Sequence, residues 1–206
     1  LSYEEAAMAE PLACTINGLE LVWLGVGESL VIIGAGPAGL LMAQLGRHMG
    51  ATKIILAQRS RARLEMARAY DVDALIATEE EDLEARVMEE TGGLGADVVV
   101  TACASPDAQE AAVRLAAMRG RVNFFGGLPK GSRPITVDSN VIHYRELFVT
   151  GSHGSVPRQH QAALGLLACG AVKAQGLITH RRGLDDLLEA FALVETREGM
   201  KVIVEP

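Results

Sequence analysis

The sequence predicts an α/β protein built on a doubly wound, six-stranded parallel sheet. From Ser29 onward, short Val/Ile-rich runs alternate with segments of helical periodicity. The first of these runs leads directly into the glycine-rich turn Gly34-Ala35-Gly36-Pro37-Ala38-Gly39. Within the runs apolar and polar residues do not alternate, as expected of strands covered on both faces. The chain has 206 residues, 49% of them apolar and 22% charged. That suffices for one well-buried domain with an appendage.

Leu30 to Ile33 reads as the first strand, followed by the glycine turn and a helix over 37–49. Ile54 to Ala57 is the second strand, and Ser60 opens a helix through Ala69. A short third strand over 74–76 precedes an acidic amphipathic helix over 79–91, which ends at Gly92-Gly93. The pattern then repeats. Asp97 to Thr101 is the fourth strand, Ser105-Pro106 caps a helix reaching about Met118, Arg121 to Phe125 is the fifth strand, and 147–150 is the sixth. Such a sheet places its ligand at the carboxyl ends of the strands, near the point where strand order reverses. Two flanks read as standing outside this core. Residues 1–27 are helix-prone and carry Glu10-Pro11. After a helix over 158–169, residues 176–206 hold a Thr179-His180 turn, another helix and a final strand over 201–204.

The net charge is −7, and no basic stripe offsets it, so neither nucleic acid nor an anionic membrane is expected as a partner. Cys14, Cys103 and Cys169 lie far apart and form no CxxC pair, which fits a reducing, cytoplasmic compartment. No apolar run reads as a membrane span. The chain opens at Leu1, in what reads as the middle of a longer protein.

A glycine-rich hexamer is weak evidence by itself; between a strand and a helix, with a second strand following at the right distance, it signals a Rossmann-type dinucleotide-binding domain over 28–175. Gly34 permits the tight turn, Gly36 lets the backbone approach the pyrophosphate, and Gly39 lets the helix pack on the strand. Pro37 and Ala38 begin a helix whose free N–H groups and dipole face the phosphates. The carboxylate that usually binds the adenosine ribose at the end of the second strand is missing, and Gln58-Arg59-Ser60 stands there instead. An arginine beside a serine suits a 2′-phosphate, with Arg63 one helical turn further, so NADP is the expected cofactor. The other reading is NAD, with Gln58 on the ribose and the arginines solvated.

The run Leu1 to Cys14 with its Glu10-Pro11, the run Val122 to Gly131, His143-Tyr144-Arg145-Glu146, and the ending from Leu177 to Pro206 together resemble zinc-dependent medium-chain dehydrogenases of the sorbitol (L-iditol) and threonine dehydrogenase branch. The resemblance covers essentially the whole chain. It implies a homo-oligomeric enzyme, dimer or tetramer, that transfers hydride between a nicotinamide and a polyol or similar secondary alcohol, with an amino-acid alcohol as the alternative substrate. It also implies a GroES-like catalytic domain beyond this sequence. Residues 1–27 would then be the interdomain helix and linker, and 176–206 the segment returning to that domain.

On the same ground Glu10 lies beside the catalytic zinc, as a ligand or through its water. Since a zinc site needs about three protein ligands, Glu10 cannot hold the ion alone, and without the resemblance it reads as a surface carboxylate. Backbone groups of Ala102 and Cys103, of Gly126, Gly127 and Leu128, and of Gly151 and Ser152 are implied to edge the ribose and nicotinamide. No residue of the chain is assigned as catalytic. His48 reads as surface, His143 and Tyr144 as fold or subunit-contact residues, and His153 and His180 form no metal-spaced pair. A non-catalytic dinucleotide-binding module is the rival reading if the sequence is complete as given.

Overall fold

The computed structural model describes residues 1–196 and 199–206. Six strands form one parallel sheet: β1 (Ser29–Ile33), β2 (Lys53–Gln58), β3 (Ala74–Ala77), β4 (Ala96–Thr101), β5 (Ala116–Phe124) and β6 (Phe148–Gly151). Their order is β3-β2-β1-β4-β5-β6, with every pair parallel. The expected doubly wound sheet is therefore present, and its strand order reverses between β1 and β4.

The alternating side chains of the strands sort into two separate cores. Leu30, Ile32, Ile54, Leu56, Val98 and Val100 face one way, towards α2 (Ala9–Glu20), α3 (Pro37–Met49) and α8 (Pro157–Ala168). Val31, Ile33, Ile55, Ala57, Val99 and Val122 face the other, towards α5 (Leu83–Glu90) and α6 (Pro106–Leu115). Covering both faces is what lets the strands be apolar at every position.

Several boundaries differ from the sequence reading. Residues 1–27 do not all stand outside the core: after the short α1 (Tyr3–Ala6), the face of α2 made by Leu12, Ala13, Ile16 and Leu19 is buried in the first cluster. The acidic helix starts at Leu83, because the Asp82 side chain caps it by accepting from the Ala85 N–H at 2.8 Å. Glu79 to Glu81 are left in a turn. The helix opened by Ser60 is a short α4 (Arg61–Glu65) continued as a 3-10 turn (Met66–Ala69). Helix α6 stops at Leu115 so that β5 can begin, and a short α7 (Ser139–Tyr144) precedes β6. Thr179-His180 lies in a strand, β7 (Ile178–Gly183), which pairs in parallel with β8 (Lys201–Glu205). Between them α9 (Leu187–Glu195) exposes Leu188, Phe191 and Val194.

The end of α2 is locked to the sheet. The Trp23 N–H bonds the Glu20 carbonyl at 2.9 Å and the Leu24 N–H bonds that of Leu19 at 3.3 Å, with Trp23 in the left-handed region at φ 36°. This is a Schellman end carrying tryptophan where glycine is usual, at a cost of about 1–2 kcal/mol. Contacts offset the strain: the Trp23 ring lies 4.6 Å from that of Phe148 and 5.8 Å from the Arg121 guanidinium. Buried Arg121 donates to the Val22 carbonyl at 3.1 Å and pairs with Glu28, which also accepts the Gly25 N–H at 2.8 Å. Replacing Arg121 by leucine removes this bracket and leaves Glu28 without its cation. The variant is expected to lose about 2–3 kcal/mol in urea unfolding.

Candidate functional site

Three glycines of the turn between β1 and α3 meet three different surroundings. Gly34 has φ +122°, and a Cβ there would stand 2.8 Å from the Ala102 carbonyl oxygen. A Cβ on Gly39 would stand 1.9 Å from the Gly34 carbonyl oxygen. Around Gly36 there is nothing within 4 Å of such an atom. Two glycines are thus demanded by the protein's own packing, and the middle one faces open space. That space lies over the N-terminus of α3, which has no side-chain cap; Pro37 brings no N–H, and Ala38 and Gly39 follow it in the first turn. An anion is well accommodated at such a position.

The turn is tied to the neighbouring strand ends. The Gly34 N–H donates to the Ala57 carbonyl at 2.8 Å, and the Ala35 N–H to the Gln58 side-chain oxygen at 3.1 Å. Gln58 therefore braces the glycine turn from the position where such folds usually carry an acid. Beside it Arg59 points into solvent and pairs with Glu79 at 3.0 Å. Ser60 precedes α4 without capping it through its side chain. Arg63 does not join Arg59: its guanidinium donates to the Gly199 carbonyl at 3.4 Å, towards the β7–β8 unit.

The loops after β4 and β5 form the opposite wall. The Ala102 N–H bonds the Ile33 carbonyl at 2.8 Å and the Gly126 N–H that of Thr101 at 2.7 Å. A Cβ on Gly126 would stand 2.5 Å from the Cys103 carbonyl oxygen, so the two loops touch through backbone alone, while Gly127 has open space. Burial pushes the Cys103 thiol pKa up, which makes it a poor nucleophile. The segment from Gly127 and Leu128 onward is held by α6. Gln109, itself buried, donates to the Gly126 carbonyl at 3.1 Å, and Arg133 reaches Glu110 at 2.6 Å and also pairs with Asp107. Glu110 further accepts the Thr136 N–H at 2.7 Å. The Arg133 guanidinium, and then the Thr136 amide, bring the Glu110 pKa down to about 2.

After β6, Gly151 leads to Ser152, whose hydroxyl oxygen is buried without a hydrogen-bond partner. The following residues are stitched to α2. Asn17 donates to the Gly154 carbonyl at 3.0 Å, and the Cys14 thiol lies 3.9 Å from the Ser155 hydroxyl, itself 2.9 Å from His160 Nε2. Cys14 donates to Glu10 at 3.2 Å, and its pKa is raised first by burial and then by that carboxylate. Glu10 is thereby placed on the same side of the molecule as the loop following β6. Among the described residues no group of three or more His, Cys, Asp or Glu could hold a metal ion. These residues alone do not make a zinc site. His143 and Tyr144 pack edge to face at 4.9 Å on α7.

A family model for the zinc-binding dehydrogenases matches residues 37–169, from the first turn of α3 to the end of α8. The chain belongs to that family. Sorbitol dehydrogenase from Halalkalibacterium halodurans is 32% identical over 202 residues, covering 98% of this chain and 58% of that protein. D-arabitol-phosphate dehydrogenase from Enterococcus avium is 33% identical over 207 residues, covering 100% and 58%. Among solved structures, a protein from Sinorhizobium meliloti 1021 bound to NADP superposes with a TM-score of 0.89 at 31% identity, covering 97% of this chain and 58% of that one. The chain thus spans somewhat over half the length of the curated relatives it matches.

Several participants escaped the sequence reading: Glu79 against Arg59, Gln109 on Gly126, and the Arg133–Glu110 clasp. The acidic run Glu79-Glu80-Glu81 was visible, and Asp82 as a helix cap was the signal that would have placed it in a turn.

The glycine surroundings separate folding from binding. Gly36→Ala is expected to keep the thermal midpoint and weaken dinucleotide binding at least about tenfold, or 1.4 kcal/mol, in calorimetry. Gly39→Ala is expected to lose the fold cooperatively in a melting curve. Because the Glu110 pKa lies below its ordinary value near 4.5, its clasp stabilises the folded chain fully above that value. The difference in urea midpoint between the native chain and Glu110→Gln should stay constant above about pH 5.5 and narrow as pH falls from 4.5 towards 2.

Proposed function

We propose that this chain is the cofactor-binding part of a zinc-dependent, NAD(P)-linked alcohol dehydrogenase acting on polyols or similar secondary alcohols. One observation carries the reading: open space at Gly36 over the uncapped start of α3, between two glycines whose own space is filled. A dinucleotide's diphosphate fits there, and the bound nicotinamide supplies the hydride chemistry. The chain's own part is to bind and orient. Gly34 to Gly39 receive the diphosphate, Ala102, Cys103, Gly126, Gly127 and Leu128 form the wall along the riboses and nicotinamide, and Gly151 and the unpartnered Ser152 hydroxyl close the far end. The polyol class follows from the names of the two relatives given above.

NADP is the cofactor in this reading. No carboxylate stands at the end of β2, Gln58 is engaged with the glycine turn, and the exposed Arg59 is available to a 2′-phosphate from the adjoining position. Zinc belongs to donors outside this chain, with Glu10 as its neighbour. Residues 1–27 then serve as the interdomain helix and linker, 28–175 as the cofactor domain, and 176–206 as the segment joining the GroES-like domain. The exposed apolar face of α9 is consistent with that last role. Among the described residues β6 is an edge strand of the sheet, which supports a homo-oligomer, and three free cysteines support the cytoplasm.

The test is a binding series with NADP and NAD, and a rate assay on the full-length enzyme with zinc and a polyol such as sorbitol. Arg59→Ala should weaken NADP about tenfold and leave NAD unchanged. A clear preference of the unaltered protein for NAD overturns the NADP assignment. Zinc-independent turnover overturns the zinc dependence, absence of turnover on polyols overturns the substrate class, and failure to bind either dinucleotide overturns the dehydrogenase reading.

A further inference from the structure

The ladder between β2 and β3 continues beyond both strands. The Thr78 N–H donates to the Gln58 carbonyl at 2.9 Å and the Glu79 N–H to the Arg59 carbonyl at 3.2 Å. Backbone pairing, and not a chance side-chain encounter, therefore sets Glu79 beside Arg59, and the two side chains close to 3.0 Å. The neighbouring acids are committed elsewhere. Glu80 pairs with Arg61 at 2.6 Å, while Glu81 accepts the Ala77 N–H at 3.1 Å and pairs with Arg86 at 3.1 Å. Both members of the Arg59–Glu79 pair are open to water, with side chains 81% and 52% exposed. Exposed pairs of this kind are held weakly, so an incoming anion can take the arginine. Glu79 holds the guanidinium through one nitrogen, Nη2, whereas a phosphate can offer it two charge-assisted bonds.

We infer that Glu79 is a specificity-determining residue: it competes with the 2′-phosphate of NADP for Arg59 and so sets how strongly the site prefers NADP over NAD. The inference rests on the reading of Arg59 as the phosphate anchor. With NADP bound, the Arg59 guanidinium leaves Glu79 and the released carboxylate stands close to the phosphate, where like charges oppose one another. With NAD bound, the pair stays closed and Glu79 costs nothing. Discrimination is thus lower than Arg59 alone would give, and the brake comes from the end of β3, one strand away from the residues that such folds ordinarily use.

Calorimetric titration of the chain with NADP and with NAD tests this in four forms: unaltered, Glu79→Gln, Arg59→Ala and the double variant. Glu79 is exposed and its fold contact is made by its backbone, so Glu79→Gln should melt as the native chain does. It should bind NADP about fivefold more tightly and NAD unchanged within about twofold. In the Arg59→Ala background the same substitution should gain less than half of that factor. Unchanged NADP affinity in Glu79→Gln overturns the inference, whatever Arg59→Ala does. An equal gain for both cofactors, or a full gain without Arg59, also overturns it. Selective loss of NADP in Arg59→Ala with no gain in Glu79→Gln leaves the anchor standing and removes Glu79 alone.

Discussion

The molecule is organised by one close approach: helix α3 begins so near the end of β1 that the Gly34 carbonyl occupies the space a Cβ of residue 39 would need. A helix brought down this tightly sends its first amides out over the end of the sheet, where no side chain of its own can cap them. The wall opposite is set by the same device, since Gly126 and the backbone of Cys103 meet without a side chain between them. The site is therefore bounded mainly by main chain. This explains how it can be shaped in advance while presenting few side chains whose chemistry identifies the ligand.

Around that rigid floor, charged side chains hold the parts that short-range backbone contact does not reach. Glu110 binds Arg133 and the Thr136 amide, so the stretch after β5 is fastened to the helix that leaves β4. Arg121 and Glu28 fasten the end of α2 to the start of β1 and to β5. The two arrangements differ in worth. The first is half open to water on its arginine side and acts as a geometric clasp, whereas Arg121 is buried and its removal strands a carboxylate.

Much of the fold was legible because it depends on local rules. Short Val/Ile-rich runs alternating with helical periodicity located all six strands, and the spacing of Gly34, Gly36 and Gly39 located the turn without knowledge of what lies above it. What escaped depends on distant partners. Thr179-His180 looks like a turn until Lys201 to Glu205 is seen beside it, and α2 looks like a flank until its Leu12 and Leu19 face meets the sheet's helices. The site divides in the same way. Its glycines follow from the chain's geometry at one point, but the pairing of Arg59 with Glu79 follows from strand register across 20 residues, and no window along the sequence contains both with that information.

Trp23 ends α2 in a left-handed conformation and packs at a tilt against Phe148 on the last strand of the sheet, with the residue still half open to solvent. It is also the single tryptophan of the chain. All indole emission therefore originates at this one border of the molecule, beside a cation and an aromatic ring. The protein carries a native optical label there, whose wavelength reports whether water or another surface covers the β6 edge.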